Sequence, residues 1–382
     1  MQRIHESQLS IRGVLKVKPI YVLQVVGALN RGGAESMIMN LYRNINRDKI
    51  HFDFVVHSSE KGAFDDEVSS LGGKIYKCPR FNGVNILQYK KWWQDFLATH
   101  SEYRILHSHI RSCASLYLPI AKSQGIRTIV HSHNTSNGKG IRSLAKRVLQ
   151  YPLRHQADYL MSCSKKAGEW LFGKKAAESN KYKFLPNAIE VDKYAFNPAI
   201  RNQYRKLFDI NDKVVFGHVG RFYESKNHGF LLEVFSEVQR NNPNTALFLV
   251  GDGPLRNEIE NKINKLNLKG SVYLLGVRND VHNVLQAIDV FLFPSIWEGF
   301  PVAVIEAQAA GLPCIISDRI TAEVALTELI YRLPIDSINQ WVDLALSGLE
   351  RKDVTERIKK AGFDVKESAK DLSEFYQHCC KS

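Results

Sequence analysis

The chain has 382 residues, 44% of them hydrophobic, and a formal net charge of +13 at pH 7. That length suits two or three domains, each able to bury a core, and no uninterrupted apolar run approaches the roughly 20 residues that span a bilayer. The first 18 residues are too charged for a secretory signal and the six cysteines show no C-x-x-C spacing, so reduced thiols and a cytoplasmic location are expected. Charge is uneven along the chain: residues 1–188 hold 29 Lys and Arg against 13 Asp and Glu, and residues 189–382 hold 23 against 26. A basic half beside a nearly neutral half points to an anionic contact. No nucleic-acid module is recognisable, and no nucleic-acid partner is expected.

After an irregular N-terminal extension, Ile20 to Val26 reads as a first strand, G-A-L-N-R-G-G-A-E as a glycine-rich loop, and Ser36 to Ile45 as an amphipathic helix. Gly32 and Gly33 permit close approach of the backbone to a phosphate, with the helix N-terminus behind them. The run is not G-x-G-x-x-G, so the dinucleotide fingerprint is absent. Strands are expected at Phe52 to Val56 and Lys74 to Tyr76, a helix near Ile86 to His100, and a strand at Ile105 to His109. His107-Ser-His109 and His131-Ser-His133 repeat an H-x-H spacing in which the two side chains of a strand point the same way. That is also the spacing of a metal pair, but further ligands at supporting spacings are missing and no metal is expected. His107 and His131 read as packed structural histidines.

Between Gly138 and Tyr159, Ile141, Leu144, Val148, Leu149 and Leu153 fall at helical spacing among Lys139, Arg142, Lys146, Arg147 and Arg154. This reads as one basic amphipathic helix, which either rests on an anionic membrane surface or packs its apolar stripe on its own domain. Tyr159 to Cys163 is the next strand, and Lys183 to Leu185 leads into Pro186-Asn187-Ala188-Ile189, where the charge balance changes. The boundary is placed there, giving an N-terminal domain over 1–188, a second domain over 189–365 and a tail over 366–382.

Val214 to Val219 opens the second domain and runs into G-R-F-Y-E-S-K-N-H-G. Gly220, Arg221 and Lys226 lie between that strand and a helix from His228, so two cations and a helix N-terminus converge where a diphosphate can sit. Strands follow at Ala246 to Val250 and Val272 to Leu275. Asp289 to Asp318 then reads as strand, loop, helix, strand: Val290 to Phe293 is a buried parallel strand, Pro301 suits the first helical position, Gly311 suits the stop, and Cys314 to Ser317 is a late strand. Glu298 falls in the loop at the carboxyl rim of the sheet, and Glu306 lies about 7 Å further along the helix. Ser368 to Gln377 is helical in pattern.

The run E-G-F-P-V-A-V-I-E followed by A-x-A-x-G-x-P resembles the signature of the retaining family 4 glycosyltransferases, which have the GT-B fold. The resemblance covers nearly the whole chain, most strongly 214–318, and is greatest for exopolysaccharide and capsule enzymes. It implies an α/β fold of two Rossmann-like domains facing each other across a cleft, with the tail helix crossing back to the first. It implies transfer of a sugar from a UDP- or GDP-sugar donor to a lipid-linked glycan acceptor, without a metal or other cofactor, on the inner face of the plasma membrane. Carried over, Glu298 lies against the donor sugar and Glu306 holds the ribose. Arg221 and Lys226, in a G-R-x-x-x-x-K-N match, neutralise the leaving diphosphate, with Gly220 beside them. His109 contacts the sugar, and the Gly32–Gly33 loop faces the diphosphate and the acceptor. Gly276, Val277 and Arg278 read the base, largely through the backbone, and Gly299, Phe300, Pro301 and Val302 complete the donor pocket. His133, Arg142 and Lys146 stand on the acceptor side. Two alternatives stay open: a nucleotide-sugar epimerase of the same architecture, and a non-catalytic subunit that binds nucleotide or glycan.

Overall fold

Strands that are apolar on both faces can be satisfied only inside α/β layers, and the chain builds two such sheets. The computed structural model describes residues 18–133 and 141–381, except the side chains of 141–143 and 145. In the first sheet, β1 (Ile20–Val26), β2 (Ile50–Val56), β3 (Ile75–Lys77), β4 (Tyr103–Ser108), β5 (Arg127–Ser132), β6 (Tyr159–Ser162) and β7 (Tyr182–Phe184) lie in the order 3-2-1-4-5-6-7. In the second, β8 (Val214–Val219), β9 (Thr245–Val250), β10 (Val272–Gly276), β11 (Val290–Phe293), β12 (Cys314–Ser317) and β13 (Ile330–Leu333) lie in the order 10-9-8-11-12-13. Every pairing is parallel. This is the expected doubly wound α/β architecture, two Rossmann-like units in GT-B arrangement.

Each sheet reverses its order once, between β1 and β4 and between β8 and β11. At such a switch point the flanking loops diverge to opposite faces and leave a crevice beyond the strand ends. The loop after β1 holds Gly32 and Gly33, and β4 is followed by His109. The loop after β8 holds Gly220 to Lys226, and β11 is followed by Glu298.

Alternation along the strands divides each core in two. In the first sheet Val22, Val26, Ile105 and Ile129 face one cluster, and Leu23, Val25, Leu106 and Val130 face the other. The first cluster is closed by the helices Gly33–Asn44 and Val365–Lys381, the latter burying Val365, Ala369, Leu372, Tyr376 and Cys379 at spacings of four and three. The chain passes into the second unit at Ile189 and returns beside it at Asp364, where the two residues form a parallel bridge. Glu323 of the second unit accepts the backbone N–H groups of Lys165 and Lys166, at 2.8 and 3.1 Å, capping the helix Lys165–Phe172 of the first.

The single basic helix expected over 138–159 is instead two, Ile141–Gln150 and Leu153–Gln156. Pro152 lacks an N–H and its ring opposes a continuing turn. Leu153 is fully buried, whereas Leu144, Val148 and Tyr151 are 63%, 66% and 62% exposed. Pro301 is the N-cap of the helix Val302–Ala309 rather than its first residue, in extended conformation at ψ 95°.

Gly251, just past β9, has φ +136°, and a Cβ there would lie 2.1 Å from the Gly220 carbonyl oxygen. Gly251→Ala should therefore cost roughly 2–4 kcal/mol from backbone strain and overpacking, read as a lower urea midpoint. A midpoint equal to that of the parent protein would show that the β8 and β9 loops do not pack this closely in solution.

Candidate active site

At the switch point of the second sheet two charged loops meet. Lys226 Nζ lies 2.7 Å from Glu298 Oε1 and 4.7 Å from the centre of the Phe293 ring. Glu298 Oε1 is buried against Lys226 and accepts no directed hydrogen bond among the described residues, so the contact is ionic and the oxygen is covered until the lysine moves. A Cβ on Gly220 would sit 3.0 Å from His218 Nε2 and 3.1 Å from Lys226 Cε, so a glycine there lets the lysine stem fold over the strand end. The two loops are tied by the Ile296 N–H donating to the Ser225 carbonyl at 2.8 Å. Arg221 is exposed, its guanidinium 5.8 Å from the centre of the Tyr223 ring.

Glu306, one turn into its helix, accepts the Tyr194 hydroxyl at 2.8 Å. Burial raises its pKa, and the tyrosine bond offsets part of that rise. The Phe300 ring is buried and stacks on Phe363 at 5.5 Å and 8°, so Phe300 can line the donor pocket only through its backbone. Val302 likewise packs on that core. Apolar side chains placed next to a sheet interior gain more from burial than from contact with a polar ligand. Gly276 has φ +65°, a conformation that favours glycine, and Val277 is 66% exposed. The Arg278 guanidinium is not free for a base, because its Nε and Nη2 bond Asp280 at 2.7 and 2.5 Å. That fork, helped by the Tyr204 hydroxyl, lowers the Asp280 pKa to about 2. The next residue, Asn279, accepts Arg31 of the first unit across the cleft.

In the glycine-rich loop, Gly32 is extended at φ −102°, with no positive φ to require glycine. A Cβ there would lie 2.3 Å from Glu35 Oε2, the end of a side chain that folds back over the loop and can swing aside. Burial raises the Glu35 pKa, and a backbone N–H lowers it in part. Gly33, by contrast, faces open space.

Beyond β4 and β5 the four histidines form one array. Ring centres are 4.4 Å apart for His107–His109, 4.0 Å for His131–His133 and 5.0 Å for His109–His133. Both ring nitrogens of half-buried His109 are engaged: its Nδ1 pairs with His133 Nε2 at 2.8 Å and its Nε2 with Gln24 Oε1 at 2.9 Å. A sugar hydroxyl would have to replace one of those bonds. His107 Nδ1 pairs with the Tyr376 hydroxyl at 2.7 Å. Burial holds all four neutral, aided by repulsion from neighbouring imidazoles at His107, His109 and His131 and from Arg111 at His133, with His107 and His133 lowered to about 3. His107, His109 and His131 bring one nitrogen each within 4.8 Å of one another. Their rings, however, lie within 11–37° of parallel, so their in-plane lone pairs do not converge, and both His109 nitrogens are already bonded. Lys146 is exposed on its helix, and the Arg142 side chain lies outside the described residues. Sequence reasoning missed Tyr194, Gln24, Glu35 and Tyr376, for which only Glu35, in the first turn after the glycine loop, carried a local signal.

The sequence model described as Glycosyltransferase Family 4 matches residues 31–193, and that described as Glycosyl transferases group 1 matches residues 200–364. A Bacillus subtilis protein named as a glycosyltransferase, EpsF, is 34% identical over 367 residues, covering 93% of this chain and 96% of its own. The UDP-Gal:alpha-D-GlcNAc-diphosphoundecaprenol alpha-1,3-galactosyltransferase of Escherichia coli is 31% identical over 240 residues, 58% of this chain and 59% of its own. Among solved structures, Anabaena Alr3699/HepE in complex with UDP and glucose shares the fold with a TM-score of 0.75 at 17% identity, over 94% of this chain and 100% of that one. A glycosyltransferase from Rickettsia africae reaches 0.78 at 17% identity, over 95% and 99%.

The neutral array links stability to pH. A histidine that titrates near 3 in the fold and near 6.5 when unfolded leaves the unfolded chain holding more protons between those values, so stability is complete above about pH 6.5 and falls as pH drops toward 3. The loss approaches about 1.4 kcal/mol per pH unit for each such histidine. Urea midpoints should fall progressively from pH 7 to pH 5, and His133→Asn should flatten that slope by about one proton. Equal midpoints at both pH values would mean that the array is hydrated in solution.

Proposed function

The chain belongs to glycosyltransferase family 4, and from that premise we propose that it moves a hexosyl group from a UDP-sugar to a lipid-linked saccharide in surface polysaccharide synthesis, with retention at the anomeric carbon. The observation that carries this reading is the Lys226–Glu298 pair at the second switch point, with Glu306 on the helix behind it. The names of the relatives support it: the Escherichia coli relative is named for a UDP-Gal donor and a diphosphoundecaprenol-linked acceptor, and HepE was solved with UDP and glucose.

In this reading the ribose hydroxyls take up the remaining lone pairs of Glu306, whose position the Tyr194 bond sets. The diphosphate enters against Arg221, Lys226 and the N-terminus of the helix His228–Asn241. Lys226 then exchanges partners: its ammonium turns from Glu298 to the phosphate, and Glu298 is released to hydrogen-bond the sugar. A retaining route through a covalent intermediate needs a carboxylate nucleophile and an acid on either side of the bond. Glu306 is occupied with the ribose and Glu298 with sugar hydroxyls. The acceptor hydroxyl therefore attacks from the face that the phosphate leaves, and the departing phosphate oxygen takes its proton. Arg221 and Lys226 stabilise the charge that develops on that oxygen, the electrostatic role that a metal fills in other transferases.

The acceptor comes to the first unit. Lys146 is exposed on the helix that also exposes Leu144 and Val148, a combination suited to an anionic membrane surface. No helix among the described residues is long and apolar enough to cross a membrane.

Thermal stabilisation by UDP, GDP, ADP and their sugars tests the donor site. UDP should raise the melting temperature of the parent protein and leave Glu306→Ala unchanged. A folded protein that responds to none of them would turn the reading toward a non-catalytic binding subunit. Lys226→Ala should lower turnover by roughly 100-fold or more, far more than it changes fold stability, and unchanged turnover in a folded variant would remove the leaving-group role.

A further inference from the structure

Gln24 on β1 and Tyr376 on the C-terminal helix have no part in the reaction as described, yet they are 1% and 0% exposed and bonded to the histidine array. Water does not reach them to replace a missing partner, so the hydrogen-bond directions are set within the protein. Gln24 Oε1 can only accept, so His109 Nε2, 2.9 Å away, carries the hydrogen. His109 Nδ1 is then an acceptor, and its donor is His133 Nε2–H at 2.8 Å. On its other side Gln24 Nε2–H donates to the Tyr376 oxygen at 3.4 Å, and the Tyr376 hydroxyl hydrogen goes to His107 Nδ1 at 2.7 Å. The bonds run one way, from His133 through His109, Gln24 and Tyr376 to His107. At the start of this chain His133 Nδ1 is buried and has no partner among the described residues, as fits a neutral ring whose hydrogen is on Nε2.

We infer that Gln24 and Tyr376 are positioning residues that hold His109 as its Nε2–H tautomer, so that Nδ1 is an acceptor which a hydroxyl of the donor sugar takes over from His133. The sugar contact rests on the glycosyl-transfer reading above, whereas the tautomer rests on hydrogen-bond geometry alone. A site built this way accepts from a sugar hydroxyl but not from a sugar acceptor atom, and a sugar lacking the hydroxyl leaves the His109–His133 bond in place, so the tautomer sets which group can bind. The inference also gives the C-terminal helix a function beyond covering the sheet, since its tyrosine sets the far end of the bond chain.

The experiment is nitrogen NMR of the full-length protein labelled at histidine, with His109→Asn to assign the signal. The parent protein should show His109 protonated at Nε2 and bare at Nδ1, and Gln24→Leu should move both shifts toward the average of two tautomers. Tyr376→Phe keeps the buried ring and removes only the hydroxyl. It should also shift the His109 signals, and lower kcat by roughly tenfold with KM for the acceptor unchanged. A parent signal protonated at Nδ1, or His109 shifts equal to the parent's in both variants, would overturn the inference. If the shifts respond as described but the parent transfers no sugar, the positioning assignment is supported and the glycosyl-transfer reading fails.

Discussion

The contact between Lys226 and Glu298 is a consequence of strand order. Both residues lie in loops that leave neighbouring parallel strands, β8 and β11, at the one place where the second sheet reverses direction. Everywhere else in the sheet the loop after a strand turns down onto a helix that covers it. At the reversal the two loops part, backbone donors and charged side chains are left uncovered at the same rim, and a ligand is the natural complement. The same constraint acts in the first sheet, where the glycine-rich loop and His109 leave β1 and β4. A cleft enzyme needs two such rims facing each other. Here Arg31 and Asn279, and Glu323 with the helix at Lys165, join the two units across that space.

The two rims are chemically unlike. The second is charged, with a lysine and a glutamate each about 15% exposed, 16% and 14% respectively, and its electrostatics can be exchanged with those of an anionic ligand. At the first the imidazoles are neutral, because burial disfavours their charged forms and no carboxylate pairs with them among the described residues. Neutral imidazoles act through the direction of their hydrogen bonds, and direction is set by whatever holds the ends of the chain. This explains why the last helix crosses from the second unit to the first: it brings Tyr376 to the underside of the histidines while it closes the apolar face of β1, β2 and β4.

Several parts of the architecture were legible in the residues themselves. Val214–Val219, Val290–Phe293 and Cys314–Ser317 form strands with the bounds that their apolar runs suggest. The placement of Glu298 in a loop and of Glu306 in a helix followed from Pro301 and Gly311, although Pro301 lies one position earlier than expected. A run such as E-G-F-P-V does not tell which of its members turns inward, and the structure buries the Phe300 ring and packs Val302 on the core, leaving their backbone at the rim. The helix over 138–159 was misread as continuous because the apolar spacing persists through Pro152, whose effect is on the backbone and not on the pattern.

By itself the sequence determined the alternation of strands and helices, the glycines and prolines that punctuate it, and the family signature around the two glutamates, since all of these depend on neighbours within a few residues. Only the tertiary structure decided the partners: Tyr194 for Glu306, Lys226 for Glu298, Gln24 and Tyr376 for the histidines. It also decided that His109 pairs with His133 and that Arg278 is held by Asp280. The physical reason is that a hydrogen bond or an ion pair acts over about 3 Å in space, and in these cases that distance is mostly bridged by strand order and by a returning helix, neither of which is written in any local stretch of the chain.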